Sequence, residues 1–330
     1  EIGVRLVGSE MCIRDRFFSG APFFKPPSCA PDRESFYRGV VRLIWESYFR
    51  NGACFVDLRS KSFPFGSRNQ PNYTWWKPLL EMIAAVVLTL ALAFAVGGVM
   101  LLFGVDPVSE KYEELFLFLT VAVEIPAVMI AVRFLGRRPV SSVLTGGRFT
   151  RPIELVGAYL LALAVSFVVL GTLSVLLFDA SWKDSIAGLS ATFPLQIVMI
   201  VLAALGEEMA FRGVVFQGFT AWTKQPLIGA ALATLLFIAV HMPSSATAFL
   251  HYLLDGLLYI GLAWYFNSIG MVVAVHAAWN TIGSMQTYGI PGSMGAMLVQ
   301  FAASALAVAA VAIVFRKIAK AQSEATVARA

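Results

Sequence analysis

Ile197-Val198-Met199-Ile200-Val201-Leu202-Ala203-Ala204-Leu205-Gly206-Glu207-Glu208-Met209-Ala210-Phe211-Arg212 is the stretch that decides how the rest of the chain is read. It lies in an apolar run, 194–219, long enough to cross a bilayer, yet it carries two adjacent carboxylates and an arginine. A charge at bilayer depth is expensive unless it is paired, hydrated or neutralised, so its presence argues for a partner, a wet cavity or a chemical task. Packing alone would be served by leucine.

The surroundings agree with a membrane setting. The chain is 58% hydrophobic and only 14% charged, with mean hydropathy +0.75, which excludes an ordinary soluble domain. Apolar runs broken by polar residues, Gly or Pro predict helices near 79–103, 115–135, 153–178, 194–219, 227–243, 246–266, 269–287 and 295–315. At roughly 20 residues per crossing, the expected fold is all-α, a polytopic membrane helix bundle with about eight transmembrane helices. Spans four to seven are joined so briefly that they must form consecutive antiparallel hairpins.

The chain divides accordingly. Residues 1–16 include Gly8-Ser9-Glu10-Met11-Cys12-Ile13-Arg14-Asp15-Arg16, which resembles translated sequencing-adapter DNA, and are set aside from fold reasoning. Residues 17–70 are a poorly defined N-terminal segment interrupted by Pro22, Pro26, Pro27, Pro31 and Pro64; its amphipathic patch Phe36–Phe49 fits a membrane surface. Residues 71–192 hold three transmembrane helices, 193–290 the polar motifs, and 291–330 the last transmembrane helix with a basic tail.

Charge gives an orientation. The formal net charge is +5, but the basic residues lie between apolar segments and before the first one, so they do not form a nucleic-acid stripe and no nucleic-acid partner is expected. Arg137, Arg138, Arg148 and Arg151, with Arg133 just inside the preceding helix, occupy the second-to-third link, and Arg316, Lys317 and Lys320 the tail. Both are expected to be cytoplasmic. The link with Asp106, Glu110, Glu113 and Glu114 and the link with Asp179 and Asp184 fit the outside. The expectation is a multi-pass protein of the cell membrane with both termini cytoplasmic. Cys12, Cys29 and Cys54 all precede the apolar part, so no thiol serves catalysis or metal binding within it.

Three polar pairs at helical spacing lie on three of these spans. Arg212 stands four residues after Glu208, on the same helix face, which predicts an ion pair; Glu207 is rotated by roughly 100° and must look elsewhere. Phe237 and His241 repeat the spacing in the fifth span, and His276 and Asn280 in the seventh. Glu207 or Glu208 with His241 and His276 is a carboxylate–imidazole set of the kind that holds a divalent ion such as zinc or positions a water for attack on a carbonyl. Asn280 can donate to the oxyanion that forms. One such pair alone would most simply be an interhelical brace or a satisfied buried histidine. All three pairs on three helices argue for chemistry.

With those motifs in place, the chain resembles the CPBP family of intramembrane endopeptidases, which includes prenyl-protein (CAAX) proteases and the Abi-like bacteriocin self-immunity proteins. Glu207-Glu208-x-x-x-Arg212, Phe237-x-x-x-His241 and His276-x-x-x-Asn280 carry the resemblance, over about residues 193 to 285. It implies Glu207 as the base that activates water, His241 as the residue that positions water or metal, and His276 with Asn280 as oxyanion stabilisers. Glu208 and Arg212 would hold the site together, with Phe237 in support. A zinc-like divalent metal on Glu207, His241 and His276 is the implied cofactor option, a glutamate-type protease the other.

The expected function is an intramembrane endopeptidase; the alternative is a non-catalytic membrane protein that uses the polar cluster as a brace while binding a partner or small molecule. The partners implied are the lipid bilayer and a peptide or protein substrate, prenylated or bacteriocin-like, in a bacterial source. Other polar residues receive plainer readings. His251 and Asp255 are expected at the water interface, Glu124 with Pro126 at a kink, and Gly256 and Gly261 at close helix contacts.

Overall fold

A computed structural model of the chain describes residues 76–109, 111–146, 150–183, 186–189, 193–223, 225–285 and 293–327. The segments 1–16 and 17–70, with the patch Phe36–Phe49, lie outside the described residues. What is described is all-α. The one β contact among the described residues is an isolated bridge between Thr145 and Ser268.

Helix α1 (Lys77–Leu102) starts with Pro78 in its first turn, where a missing N–H costs nothing. The second apolar run is not one smooth helix: α2 (Glu113–Ala122) ends at Val123 and α3 (Glu124–Ile130) restarts, followed by a π-helical turn, Ala131–Leu135. Pro126 is the physical cause, because it offers no N–H to the Ala122 carbonyl. A short α4 (Ser141–Leu144) precedes α5 (Pro152–Phe178). The fourth predicted span is assembled from α6 (Phe193–Glu208), a π-helical segment Met209–Phe216 and α7 (Gln217–Thr223). Then come α8 (Pro226–His241), α9 (Ala246–Phe266), α10 (Gly270–Met285) and α11 (Met294–Val327).

Among the described residues, five segments are long and apolar enough to cross a membrane: Lys77–Leu102, Leu115–Leu135, Pro152–Phe178, Ala246–Phe266 and Met294–Ile318. The chain is therefore a multi-pass helical membrane protein. The other three predicted spans differ in an informative way. α8 and α10 have 16 residues each, about 24 Å at 1.5 Å per residue, short of a hydrocarbon core of about 30 Å. The fourth is interrupted by the π-helical segment. These three carry Glu207, Glu208, His241 and His276.

The outer surface is apolar as well as the core, and several charges are enclosed. Phe94, Leu102, Ile153, Leu160 and Ile313 are exposed on the outside, whereas Glu81, Arg138, Glu208 and Arg212 are enclosed. α5 buries Ala158, Ala162, Ser166, Leu170 and Ser174, a stripe of mostly small residues at spacing four that lets α10 and α11 pack closely. Gly206 lets α6 approach α2: a Cβ there would stand 2.7 Å from the Val121 carbonyl oxygen. Gly256 plays the same part against Thr234, but Gly261 faces open space, contrary to its expected packing role.

One orienting arginine is also reassigned. Arg138 is buried and grips Glu81 of α1, Nη2 to Oε2 at 2.8 Å and Nε to Oε1 at 3.0 Å. Its Nη1 donates to Ser142 Oγ at 2.6 Å and to Gln217 Oε1 at 3.3 Å. This charge ties α1 to α7 rather than facing headgroups. Arg151, by contrast, keeps a half-exposed side chain while its partner Glu154 caps the start of α5.

Candidate active site

The π-helical segment begins immediately after Glu208, and the widened turn still leaves Glu208 and Arg212 in register. Arg212 Nη1 donates to Glu208 Oε1 at 3.0 Å, with both side chains almost completely buried. A buried charge pair of this kind is tolerable only when further groups compensate each ion. Glu208 Oε1 also accepts from His276 Nδ1 at 2.8 Å. The Arg212 guanidinium lies over the Phe237 ring at 4.8 Å and the Tyr259 ring at 5.6 Å, so two aromatic faces take up part of the charge.

His276 stands between the two glutamates. Its Nδ1 donates to Glu208 Oε1, and its Nε2 lies 3.8 Å from Glu207 Oε2, too long for a direct hydrogen bond. Glu207 makes no hydrogen bond to a described residue, and its side chain keeps 15% exposure, whereas Glu208 has none. The braced and the unbraced carboxylate of the sequence are thus physically distinct, and the histidine that separates them is His276.

His241 closes α8. Met242 follows in the left-handed region at φ 42°, and Pro243 prevents continuation. His241 Nδ1 donates to the Phe237 carbonyl at 2.8 Å. A carbonyl only accepts, so Nδ1 carries a proton in this contact and Nε2 is left for another partner. The ring lies 4.2 Å from Phe237 and 4.7 Å from Tyr252, and Phe237 in turn touches Arg212. His241 therefore joins the cluster through Phe237, without a direct contact to either glutamate.

Asn280 sits one turn beyond His276 on α10, half-buried, and its side chain bonds to no described residue. The structure brings Glu207, Glu208, Arg212 and His276 into contact and places His241 beside them through aromatic rings. A metal fit can be judged from these donors. Among the described residues no group of three or more His, Cys, Asp and Glu is gathered as an ion would require, so Glu207, His241 and His276 do not form a ligand set in this arrangement.

Several neighbours were not singled out by spacing. Tyr252 and Tyr259 wall the site through ring contacts with His241 and His276, the second at 5.3 Å. Glu124 has a buried Oε2 without a partner, and its Cβ would lie 3.3 Å from a Cβ at Gly206, beside the glutamate pair. His251 and Asp255 are buried against neighbouring helices, at 9% and 5% exposure, rather than water-facing. Their i, i+4, i+8 spacing with Tyr259 was the available signal, masked by the apolar residues around it.

No curated protein and no solved structure matches the chain. Residues 189–282, which contain all three motifs and the Glu207–Glu208–Arg212–His276 cluster, match the family model described as type II CAAX prenyl endopeptidase Rce1-like, the family that the motifs led us to expect.

Proposed function

We propose that the chain is an intramembrane endopeptidase that hydrolyses a peptide bond in or near the bilayer. The observation that carries this reading is the asymmetry of the two glutamates: Glu208 is locked by Arg212 and His276, while Glu207 faces His276 Nε2 without a hydrogen bond to any described residue. A brace would spend both carboxylates on partners. A general base needs one left over, within reach of a proton carrier.

In this reading Glu207 takes a proton from a water whose other contact is the acceptor Nε2 of His241. The water oxygen bonds to the substrate carbonyl carbon, and the oxyanion is met by the Asn280 carboxamide. The proton held at Glu207, or relayed by His276 Nε2, passes to the departing nitrogen as the carbon–nitrogen bond breaks, leaving an acid and an amine. Glu208 and Arg212 position His276 throughout. No step is routed through a metal, because no three His, Cys, Asp or Glu donors are gathered among the described residues.

The substrate is proposed to be a peptide or protein reached from the membrane; a prenylated CAAX terminus follows from the family description, and a bacteriocin-like peptide is the other class the resemblance admits. Eight crossings with both termini cytoplasmic belong to the same proposal. It is supported by two contacts between links: Thr145 pairs with Ser268, and the Gly188 N–H donates to the Met285 carbonyl at 2.8 Å. Each pairs links four passes apart, which fits if the short helices also run from end to end. The deciding experiment is cleavage of a fluorescence-quenched farnesylated CAAX peptide by the purified chain and by Glu207→Ala. Loss of cleavage with an unchanged melting temperature supports the enzyme, whereas a collapsed melting temperature supports the brace.

A further inference from the structure

The α8–α9 hairpin brings against His241 a ring that none of the three motifs contains. The link is short: α8 ends at His241, Met242 turns the chain at φ 42°, and Ser245 caps α9 by accepting from the Ala248 N–H at 3.1 Å. So tight a turn lays the second turn of α9 back along the last turn of α8, where Phe237 and His241 share a face. The Tyr252 ring lies 4.7 Å from the His241 ring and 6.1 Å from the Phe237 ring, and Phe237 lies 4.2 Å from His241. The three centroids make nearly a right angle at His241, so Phe237 and Tyr252 press on different sides of the imidazole.

The two rings are unlike as supports. Phe237 is buried and itself held, edge to face with Phe211 at 5.1 Å and under the Arg212 guanidinium at 4.8 Å. It is a fixed wall on His241's own helix. Tyr252 is half-buried and reaches His241 from the next helix. His241, half-buried at the end of α8, has one polar anchor, the bond from Nδ1 to the Phe237 carbonyl at 2.8 Å. A single hydrogen bond beside water is a weak constraint on a side chain with other staggered rotamers open to it. A second aromatic contact adds both area and direction.

We propose that Tyr252 is a positioning residue for His241: pressing from α9, it keeps the imidazole against the Phe237 wall, with Nδ1 on the Phe237 carbonyl and Nε2 held in one direction. The contact is ring on ring, tilted by 40°, so the role belongs to the ring and not to the phenol hydroxyl. The consequence for hydrolysis rests on the function proposed above, but the hold on His241 does not.

The chain has three histidines, so the ring N–H protons of histidine-labelled full-length protein in lipid nanodiscs can be followed one by one. Tyr252→Leu is expected to speed exchange of the His241 Nδ1–H with water, while the His276 Nδ1–H, bonded to Glu208, exchanges as before. Tyr252→Phe keeps the ring and should return His241 to slow exchange. Unchanged His241 exchange in Tyr252→Leu overturns the proposal, and so does a Tyr252→Phe that behaves like Tyr252→Leu. Loosening of His241 and His276 together also overturns it, because Tyr252 would then serve general packing. Should Tyr252→Leu fail to fold, Tyr252→Met, ringless but more adaptable in shape, is read by the same signals, and failure of both to fold counts against the proposal in the same way. In the farnesylated-peptide assay, Tyr252→Leu is expected to lower kcat by about tenfold to a hundredfold at constant KM, with Tyr252→Phe recovering it. If the wild-type chain does not cleave that peptide, the hydrolase reading fails there while the exchange rates still decide the role of Tyr252.

Discussion

His276 divides its two nitrogens between the two glutamates: Nδ1 donates to Glu208 Oε1 at 2.8 Å, and Nε2 stops 3.8 Å short of Glu207 Oε2. The two carboxylates should consequently respond differently to the same substitution. Glu207→Gln removes the proposed base, which makes no hydrogen bond to a described residue, so hydrolysis should fall by about 100- to 10,000-fold with the melting temperature nearly unchanged. Glu208→Gln should lower the melting temperature and activity together. Steady-state cleavage and thermal unfolding, run on both variants, separate the roles.

Arg212 is enclosed by Glu208 and two aromatic rings. Arg212→Met leaves Glu208 as a buried carboxylate with only His276 beside it, and breaking one side of such a pair costs about 3–5 kcal/mol. Arg212→Lys should recover little of that, because an ammonium cannot span Glu208 and both ring faces as a planar guanidinium does. Thermal unfolding in detergent is the readout, and a lysine variant with wild-type stability would contradict the account.

How far these arrangements were legible depended on whether the cause was local. The Glu208–Arg212 pair and the helical faces of His241 and His276 follow from spacing within one helix, and the sequence was enough. The break at Val123 was signalled by Pro126. By contrast, the grip of Arg138 on Glu81 joins residues 57 positions apart, and nothing local distinguishes Arg138 from an orienting charge beside Arg137. The burial of His251 and Asp255 depends on α10 and α11 covering that face. The short and interrupted helices hid in hydropathy for a related reason: helices enclosed by neighbours need neither full length nor an unbroken apolar surface.

The Arg138–Glu81 pair yields a prediction away from the chemistry. Since both side chains are buried, Glu81→Ala should destabilise the bundle by about 3–5 kcal/mol. Glu81→Ala combined with Arg138→Met should be milder than Glu81→Ala alone, because the second change removes the stranded cation. A double-mutant cycle on thermal unfolding measures this; additive losses would show that the two residues act independently.

Metal dependence follows from the donor arrangement. His241 spends Nδ1 on the Phe237 carbonyl, His276 spends Nδ1 on Glu208, and no three ligating side chains converge among the described residues. Extensive chelation of the purified chain should therefore leave its cleavage rate within about twofold, less than the effect of losing one positioned catalytic group. A loss restored by added zinc would instead mean that Glu207, His241 and His276 close around an ion in the working enzyme, and elemental analysis would then find it at one per chain.

Gly206 tests whether the backbone, rather than a side chain, sets the position of Glu207. A Cβ there would stand 2.7 Å from the Val121 carbonyl oxygen and 3.3 Å from the Glu124 Cβ. Gly206→Ala must push α6 away from the α2–α3 break, at about 1–3 kcal/mol for overpacking, and the displacement falls on the residue next to the proposed base. Gly261 provides the contrast, because a Cβ there meets nothing within 4 Å. Gly261→Ala should be neutral or stabilising by about 0.5–1 kcal/mol, since alanine restricts the unfolded backbone more than glycine does. Melting temperatures and cleavage rates of the two variants should diverge, with Gly206→Ala losing both and Gly261→Ala losing neither; equal behaviour would mean that the close approach of α6 to α2 does not hold Glu207 in place.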